Sequence, residues 1–302
     1  MARRRMRYLS AALLAFAVLA WATGSAGQTA ERTRTFKIAK GGTLIVQIEG
    51  VGADILVSTW EKPEIELRIA GLSDQDLKDL ETREEGNTVH VELYLDGGWG
   101  KSRSARFSFT VPSEINLDLG TSGGDITVAN PIKGTVTAGT SGGDIEVGEV
   151  AGSVTAATSG GDVEIGKGAG RVELKPSGGD VTALEVIGDA ELETSGGDIV
   201  VGNVKGACTT STSGGDIKVG KVEKTLVAST AGGDITIEDV GGDARASTAG
   251  GDVIVGMVSG SATLKTAGGE RRAETIWSGL FVDVLNVSIR RGRLSAVVDA
   301  LL

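Results

Sequence analysis

The 302-residue sequence has little cysteine, histidine, proline or aromatic residue: one Cys, one His, four Pro and 4% aromatic residues. A single Cys excludes an intramolecular disulfide, so stability must come from burial and backbone pairing. Low proline excludes a collagen-like chain, although glycine is abundant at 47 residues. Because Val and Ile occur throughout, the chain also differs from a disordered linker, which is short of aliphatic residues.

The first 27 residues have the pattern of a signal peptide. A basic start containing Arg3, Arg4, Arg5 and Arg7 precedes an apolar run over residues 8–22, and small residues at 25–27 predict cleavage before Gln28. That run of about fifteen residues is short for a membrane span, which needs about twenty. We therefore expect export to the periplasm, cell envelope or extracellular space, with no stable transmembrane span after cleavage. Retention of the segment as a membrane anchor is the alternative.

Positive charge is scarce beyond this segment. The segment holds four of the 30 Lys and Arg and none of the 40 Asp and Glu, so its removal changes the formal net charge from −10 to −14. Nucleic acids and anionic lipid surfaces attract clustered Lys and Arg, so this charge balance opposes both as partners.

One repeated signature, Thr-Ser/Ala-Gly-Gly-Asp-Ile/Val, organises the second half of the chain. Its acidic residues are separated by 19 residues once and by 18 every time after that, which indicates a repeat architecture. They are Asp125, Asp144, Asp162, Asp180, Asp198, Asp216, Asp234, Asp252 and, in the ninth position, Glu270.

Hydrophobic residues alternate with polar residues inside each repeat unit. After Asp198, for example, Ile199 and Val201 are aliphatic and Val204 follows. Alternation with a period of two predicts short strands with one buried face. Each unit exposes too much apolar edge to be stable alone, so the pattern predicts an all-β, single-chain β-solenoid (β-helix) with 18-residue coils. A two-sided and a three-sided cross-section both fit.

The Gly-Gly-Asp segments are predicted to form the corners of the coils. Glycine adopts the positive φ values that tight corners require, and Asp and Thr side chains can bond to free backbone groups. Stacked carboxylates about 4.8 Å apart would repel by about 1 kcal/mol even in water. Backbone N–H bonds must therefore outweigh this repulsion, or a cation must bridge the carboxylates.

The two ends of the chain lack the repeat. Residues 28–119 are predicted to form a β-rich entry region, continuous with the solenoid at residues 120–270, with one short helix capped by Ser73 and Asp76. Its strand-like alternation lies at residues 43–48, 54–58, 64–69, 88–95 and 105–111.

Residues 271–302 are predicted to form an irregular C-terminal cap. Arg271 occupies an inward position that is aliphatic in the other units, and Leu294, Val297, Val298 and Leu301 have the spacing of one helix face. A cap would protect the last coil from edge pairing. A helix that docks a partner and a non-native tail are the alternatives.

The repeat units, together with residues 57–60 (Val-Ser-Thr-Trp) and 109–112 (Phe-Thr-Val-Pro), carry a family resemblance. Over roughly residues 34–270 the chain resembles the bacterial β-strand-repeat family of unknown function often labelled "putative adhesin". The resemblance implies a β-solenoid in the cell envelope, and some members of the family are linked to envelope stress responses. It supplies no catalytic residues.

Two binding motifs are incomplete. The Gly-Gly-Asp rhythm is similar to a calcium-binding nonapeptide repeat, but half of each unit, such as residues 151–159, has no acidic residue for a cage of six to eight oxygen ligands. We interpret the segments as structural turns. Residues 50–55 (Gly-Val-Gly-Ala-Asp-Ile) lack the third glycine of a dinucleotide-binding fingerprint.

The candidate catalytic residues all have a structural interpretation. His90 shares the polar face of a predicted strand with Glu92, and Cys208 occupies an inward core position. Polysaccharide cleavage needs only paired carboxylates, which the outward pairs Glu146/Glu164 and Glu173/Glu191 would provide, although such pairs arise freely on a Glu-rich surface. The outward residues vary between coils, so no flat threonine array of the ice-binding kind is present.

The sequence therefore predicts an exported, non-catalytic β-solenoid that acts as an adhesin-like or interaction scaffold at the bacterial cell envelope. We expect an envelope protein or a surface glycan as the partner, with no catalytic, metal-binding or cofactor-binding residues. A regulatory or scaffolding protein of the envelope stress response is the first alternative. A polysaccharide-active β-helix enzyme is the second.

Overall fold

The computed structural model describes residues 32–95, 104–276, 279–283, 287–289 and 296–299. The regular secondary structure of these residues consists of strands, apart from one 3₁₀ turn. The strands belong to two sheets of 14 strands each, which face each other across a continuous core. The protein is therefore a β-solenoid of stacked coils of about 18 residues.

The N-terminal region contains seven strands and the 3₁₀ turn. They are β1 (Arg32–Lys37), β2 (Gly42–Glu49), β3 (Gly52–Trp60), β4 (Glu64–Ala70), the turn (Asp76–Lys78), β5 (Leu80–Glu85), β6 (Thr88–Tyr94) and β7 (Ser104–Pro112).

The solenoid continues with shorter strands of three to seven residues. They are β8 (Ile115–Thr121), β9 (Ile126–Val128), β10 (Val136–Thr140), β11 (Ile145–Val150), β12 (Val154–Thr158), β13 (Val163–Gly168), β14 (Val172–Leu174), β15 (Val181–Val186), β16 (Ala190–Glu193), β17 (Ile199–Val204), β18 (Cys208–Ser211), β19 (Ile217–Val222), β20 (Leu226–Ser229), β21 (Ile235–Val240), β22 (Ala244–Ser247), β23 (Val253–Val258), β24 (Ser261–Lys265), β25 (Arg271–Ile276), β26 (Gly279–Asp283), β27 (Val287–Ile289) and β28 (Ala296–Asp299).

Each coil contributes one strand to each sheet, so the solenoid has two sides. Sheet I contains β1, β4, β7, β3 and then the odd-numbered strands from β9 to β27. Sheet II contains β5, β6, β2 and then the even-numbered strands from β8 to β28. Strands in successive coils are parallel and in register, as in the pairing of Ile199 with Ile217. The 18-residue period therefore places equivalent residues directly above one another.

The N-terminal region extends both sheets but changes the order of the coils. The coil formed by β2 and β3 lies between the coil of β6 and β7 and the coil of β8 and β9. Beyond them, β1 and β4 in sheet I and β5 in sheet II pair antiparallel. Antiparallel, charge-rich strands thus form this end of both sheets and protect the parallel coils from edge pairing.

The interior differs between the two regions. In the N-terminal region it contains the largest buried side chains, including Phe107 and Phe109. In the repeats it is built from Val, Ile, Leu and Ala, with Thr near the Gly-Gly-Asp corner. Arg271 is only 3% exposed, so the first inward position after Glu270 buries a charged residue where the earlier coils bury an aliphatic one.

Two helix predictions differ from the observed structure. After Ser73, whose hydroxyl accepts a bond from the Asp76 backbone N–H at 3.2 Å, the helix is one 3₁₀ turn and the chain enters β5 at Leu80. The predicted C-terminal helix is wrong where the structure describes it, because residues 296–299 form β28 and pair with β26. Adjacent Val297 and Val298 favour a strand.

Candidate interaction surface

The Gly-Gly-Asp corner requires glycine because successive coils approach closely, and the prediction of positive φ is wrong. Among the described glycines, only four have a positive φ, and all four lie in the N-terminal region, at positions 41, 50, 71 and 86. At Gly161 a Cβ atom would lie 2.1 Å from the carbonyl oxygen of Gly143, one coil earlier. At Gly160 the nearest atom would be 3.6 Å away. Only the second glycine of this pair is therefore sterically essential.

The stacked aspartates bond to the backbone of the next coil. The N–H of Asp216 donates to Oδ1 of Asp198 at 2.7 Å, and that of Asp234 donates to Oδ1 of Asp216 at 2.8 Å. The series extends from Asp125 to Glu270, whose N–H donates to Oδ1 of Asp252. Each carboxylate thus accepts a bond that opposes the repulsion from its neighbours.

Buried threonines connect neighbouring coils on the inner side of the same corner. The Thr212 hydroxyl donates to the carbonyl oxygen of Gly197 at 2.9 Å and accepts from the N–H of Gly215 at 3.4 Å. The bond from the threonine hydroxyl to the glycine carbonyl oxygen recurs in the other coils, except in the coil where Pro176 occupies the threonine position. The hydroxyl satisfies a carbonyl group that points into the coil.

The opposite corner uses the same type of bond in some coils. Oδ1 of Asp189 accepts from the N–H of Ala207 at 2.9 Å, and Oδ1 of Asp243 accepts from that of Ser261 at 2.8 Å. Asn116 accepts equivalently from Thr135 at 3.0 Å. The sequence analysis did not predict this second corner. The signal was present in the sequence, because an Asp or Asn stands directly before an inward-facing residue at these positions.

The outward carboxylate pair Glu173/Glu191 lies side by side on β14 and β16 within a cluster of ion pairs. Lys175 lies 2.7 Å from Glu173 and 3.0 Å from Glu191, and Arg171 contacts both. The hydrogen bond from Lys175 lowers the pKa of Glu173 below its ordinary value, and the pKa of Lys175 is raised in turn. A general acid requires the opposite shift.

The second predicted pair, Glu146 and Glu164, is also adjacent, on β11 and β13 of sheet I. Both side chains are exposed on a flat strand surface. The two outward pairs belong to different sheets, so the structure does not bring them together. Beside the second pair, Lys167 lies 3.7 Å from Glu149 and 3.9 Å from Glu185, which extends ion pairing across three coils.

His90 and Cys208 have structural surroundings. His90 lies on β6 beside Glu92 as predicted, with Arg83 of β5 at 3.3 Å, and its side chain is 16% exposed. Cys208 is 1% exposed, which confirms its core position, and burial raises the pKa of its thiol to about 12. A thiol with this pKa is almost entirely protonated at neutral pH and is a poor nucleophile.

The described residues contain no cluster of three or more His, Cys, Asp or Glu side chains suited to a metal ion, and no helix with the length and apolar character needed to cross a bilayer. They do contain a buried polar atom that the sequence did not single out. Thr210 is fully buried, and its hydroxyl has no hydrogen-bond partner in the described part of the chain. It replaces an inward Ala or Leu.

The stacked coils and their corner bonds define a class: two-sided β-solenoids built from one repeated unit. Within that class, the chain belongs to the family described as Toastrack DUF4097, which it matches over residues 45–271. The family resemblance seen in the repeat units is thereby confirmed. No curated protein matches the chain in sequence.

Several solved structures of bacterial proteins are similar to this chain only at low sequence identity. A "putative adhesin" from Bacteroides fragilis is 18% identical with a TM-score of 0.37, and the match covers 80% of this chain and 96% of that one. A "putative adhesin" from Parabacteroides merdae is 14% identical with a TM-score of 0.39, over 88% and 96%. A "putative lipid binding protein" from Parabacteroides distasonis is 16% identical with a TM-score of 0.33, also over 88% and 96%.

Proposed function

We propose that the protein is an exported, non-catalytic β-solenoid that acts as an adhesin-like or interaction scaffold at the bacterial cell envelope. One observation carries the proposal: inward and corner positions are restricted from coil to coil, whereas outward positions vary freely. On sheet II the outward residue changes from Thr155 to Glu173, Val227 and Arg245 in successive or nearby coils. A fixed frame with variable faces suits recognition of a partner.

Export follows from the segment at residues 1–27. The rest of the chain suits an oxidising compartment, because its only thiol, Cys208, is buried and protonated. Mass spectrometry of the protein recovered from a bacterial host tests this step. We expect a chain that begins at Gln28, and an intact N-terminus would contradict cleavage of a signal peptide.

The partner class is an envelope protein or a surface glycan. The net charge of −14 that remains after cleavage argues against nucleic acid, which binds basic surfaces. The outward faces instead offer Glu, Lys, Thr and Ser side chains in rows about 4.8 Å apart, and such groups can bond to polar partners such as sugars or peptide groups.

The absence of catalysis is supported by the state of the best carboxylate pair. Glu173 and Glu191 both bond to Lys175, and the lowered pKa of Glu173 keeps this carboxylate ionised at neutral pH. A glycoside hydrolase needs one carboxyl group that retains its proton. Release of reducing sugar from envelope polysaccharide that disappears in Glu173→Gln would overturn this part of the proposal.

Affinity capture from bacterial envelope fractions tests the binding role. The bait is the full chain, and matched baits carry Lys175→Ala on sheet II or Lys167→Ala on sheet I, each of which removes one cation from an ion-pair cluster. We expect surface glycan or surface protein to be retained, with loss in one bait only. A specific membrane-protein partner would favour the regulatory alternative, and no partner for any bait would contradict both interaction roles.

A further inference from the structure

Sheet I carries most of the exposed aliphatic surface of the described repeats. Between β15 and β23, five large apolar side chains point outward on this side or at its border, whereas Val227 is the only one on sheet II over the same described coils. The five residues and their exposed fractions are Leu184 (49%), Ile187 (39%), Val200 (39%), Ile254 (41%) and Met257 (50%).

These aliphatic residues form two groups that are separated by charged coils. Leu184, Ile187 and Val200 lie on or beside β15 and β17, and Ile254 and Met257 lie on β23. On sheet I, one of the two coils between these groups is basic and the other is acidic. We call the outward face of β15, β17, β19, β21 and β23 the sheet I patch. Its charged residues on the middle coils are Lys218 and Lys221 on β19 and Glu238 and Asp239 on β21.

Part of this charge is unpaired within one chain. Lys221 lies 3.7 Å from Asp239 of the next coil. Lys218 and Glu238 are both exposed and have no ion-pair partner among the described residues. The middle of the patch is basic on β19 and acidic on β21, and the adjacent strands β17 and β23 carry the exposed aliphatic residues Val200 and Ile254 at equivalent positions. These four strands are therefore complementary to themselves after a half-turn.

We propose that the sheet I patch binds a second copy of this chain through a two-fold axis that runs along the strand direction between β19 and β21. This axis makes the two solenoids antiparallel and keeps each residue at its position along the strand. Val200 of one copy then faces Ile254 of the other, because β17 and β23 are equally distant from the axis. Lys221 likewise faces Asp239.

The same axis brings the unpaired charges together. Lys218 faces Thr236 of the other copy, and Glu238 lies two residues farther along the same strand, about 7 Å away and within reach of a lysine side chain. The other face-to-face arrangement, with the axis along the solenoid, would place β19 opposite β19 and therefore lysine opposite lysine. Like charges across an interface disfavour that arrangement.

The size of the contact sets the expected strength of the dimer. The axis also places β25, outside the sheet I patch, opposite β15, so the contact spans six coils at about 4.8 Å each. At this outer pair Leu184 faces Glu274, so the aliphatic match is confined to Val200 and Ile254. Strands of six residues extend about 20 Å, which gives a face of about 600 Å² per copy. This area is at the lower end of specific interfaces. We therefore expect a dissociation constant in the micromolar range, and the inference does not depend on the proposed function.

Sedimentation equilibrium of the purified full chain between about 1 and 200 μM tests the proposal. We expect the average mass to rise toward twice that of the monomer. Val200→Glu should raise the dissociation constant at least about tenfold by placing a carboxylate in the apolar contact. Val227→Glu is the matched control, because this valine is also 39% exposed but lies on sheet II. A monomer throughout the range, or equal effects of both variants, would overturn the proposal.

A charge exchange tests the orientation of the copies. Lys218→Glu and Glu238→Lys should each weaken the dimer, because each places like charges across the interface. The double variant should recover most of the lost affinity, because the exchange restores opposite charges at these two positions of facing copies. Additive weakening in the double variant would contradict the antiparallel arrangement, and circular dichroism would establish that each variant is folded.

Discussion

The N-terminal region and the repeats enclose one continuous core but stabilise it differently. The N-terminal region uses long strands and large side chains, with Phe107 and Phe109 fully buried on β7. The repeats use short strands and smaller side chains, with corner bonds from Asp and Thr in almost every coil. The comparison shows that close stacking of identical coils can replace large side-chain volume when each coil also contributes backbone and corner hydrogen bonds.

The largest expected difference between the two regions is in how much a core substitution lowers the free energy of unfolding. Phe107→Ala in the N-terminal region should lower the free energy of unfolding by about 3–5 kcal/mol, because it removes a large buried ring and leaves a cavity. Ile199→Val in the repeats should cost about 0.5–1.5 kcal/mol, because it removes one methylene group. Urea unfolding measures both effects.

The region affected by each change can be measured separately. Amide hydrogen exchange at β3 and β7 reports the N-terminal region, and exchange at β17 and β19 reports the repeats. We expect Phe107→Ala to accelerate exchange mainly in strands near β7, since coils contact only their neighbours. Uniform loss of protection along the whole solenoid would contradict this difference between the regions.

The second prediction concerns the close approach of coils, which is specific to the repeats. Gly161→Ala should destabilise the chain by about 1–3 kcal/mol, because the new Cβ would lie 2.1 Å from the Gly143 carbonyl oxygen and would separate the coils. Gly160→Ala is the matched control and should be neutral or stabilising by up to about 1 kcal/mol. Equal losses for both variants in urea unfolding would contradict the steric explanation.

These glycines also indicate how far the sequence predicts the structure. The 18-residue period determines the coil, the parallel register and the corner positions, because identical units can stack only in register. The physical role of Gly161 is not predictable in the same way. The sequence favours a positive φ, whereas the observed constraint is the distance to the coil before it, which depends on how tightly the coils stack.

The N-terminal region is less predictable for a related reason. The alternation predicts strands such as β2 and β4, but no sequence period indicates that the coil of β2 and β3 lies between two later coils. The candidate surface is likewise only partly predictable from the sequence. The sequence identifies Glu173 and Glu191 as neighbours, whereas the bonds from Lys175 depend on side-chain conformation.

The third prediction compares two buried threonines of one coil. Thr212→Val should cost about 1–2 kcal/mol, because it leaves the Gly197 carbonyl oxygen without its hydroxyl donor. Thr210→Val should stabilise the chain by about 1 kcal/mol, because the buried Thr210 hydroxyl has no partner in the described residues. Thermal melting of both variants measures the signs, and destabilisation by Thr210→Val would indicate a bond to this hydroxyl.

The smallest expected effect distinguishes the hydrogen bond of the aspartate ladder from its charge. Asp198→Ala should cost about 0.5–1.5 kcal/mol, because the Asp216 N–H loses its acceptor. Asp198→Asn keeps an oxygen acceptor and removes the repulsion from the carboxylates of adjacent coils. It should therefore match or slightly exceed the wild-type stability at low salt, and the difference should shrink as salt screens the charges.

A cation that bridges the ladder would reverse this result. Asp198→Asn would then destabilise the chain as much as Asp198→Ala, and a chelator would lower the melting temperature of the wild type. We expect no change with chelator, because each carboxylate already accepts a bond from the next coil at about 2.7–2.9 Å. In the N-terminal region the equivalent contact, from the Asp125 N–H to Asp54, is longer at 3.4 Å. Asp54→Ala should therefore have a smaller effect than Asp198→Ala, because the longer bond contributes less and the exposed ion pair between Asp54 and Arg106 adds little.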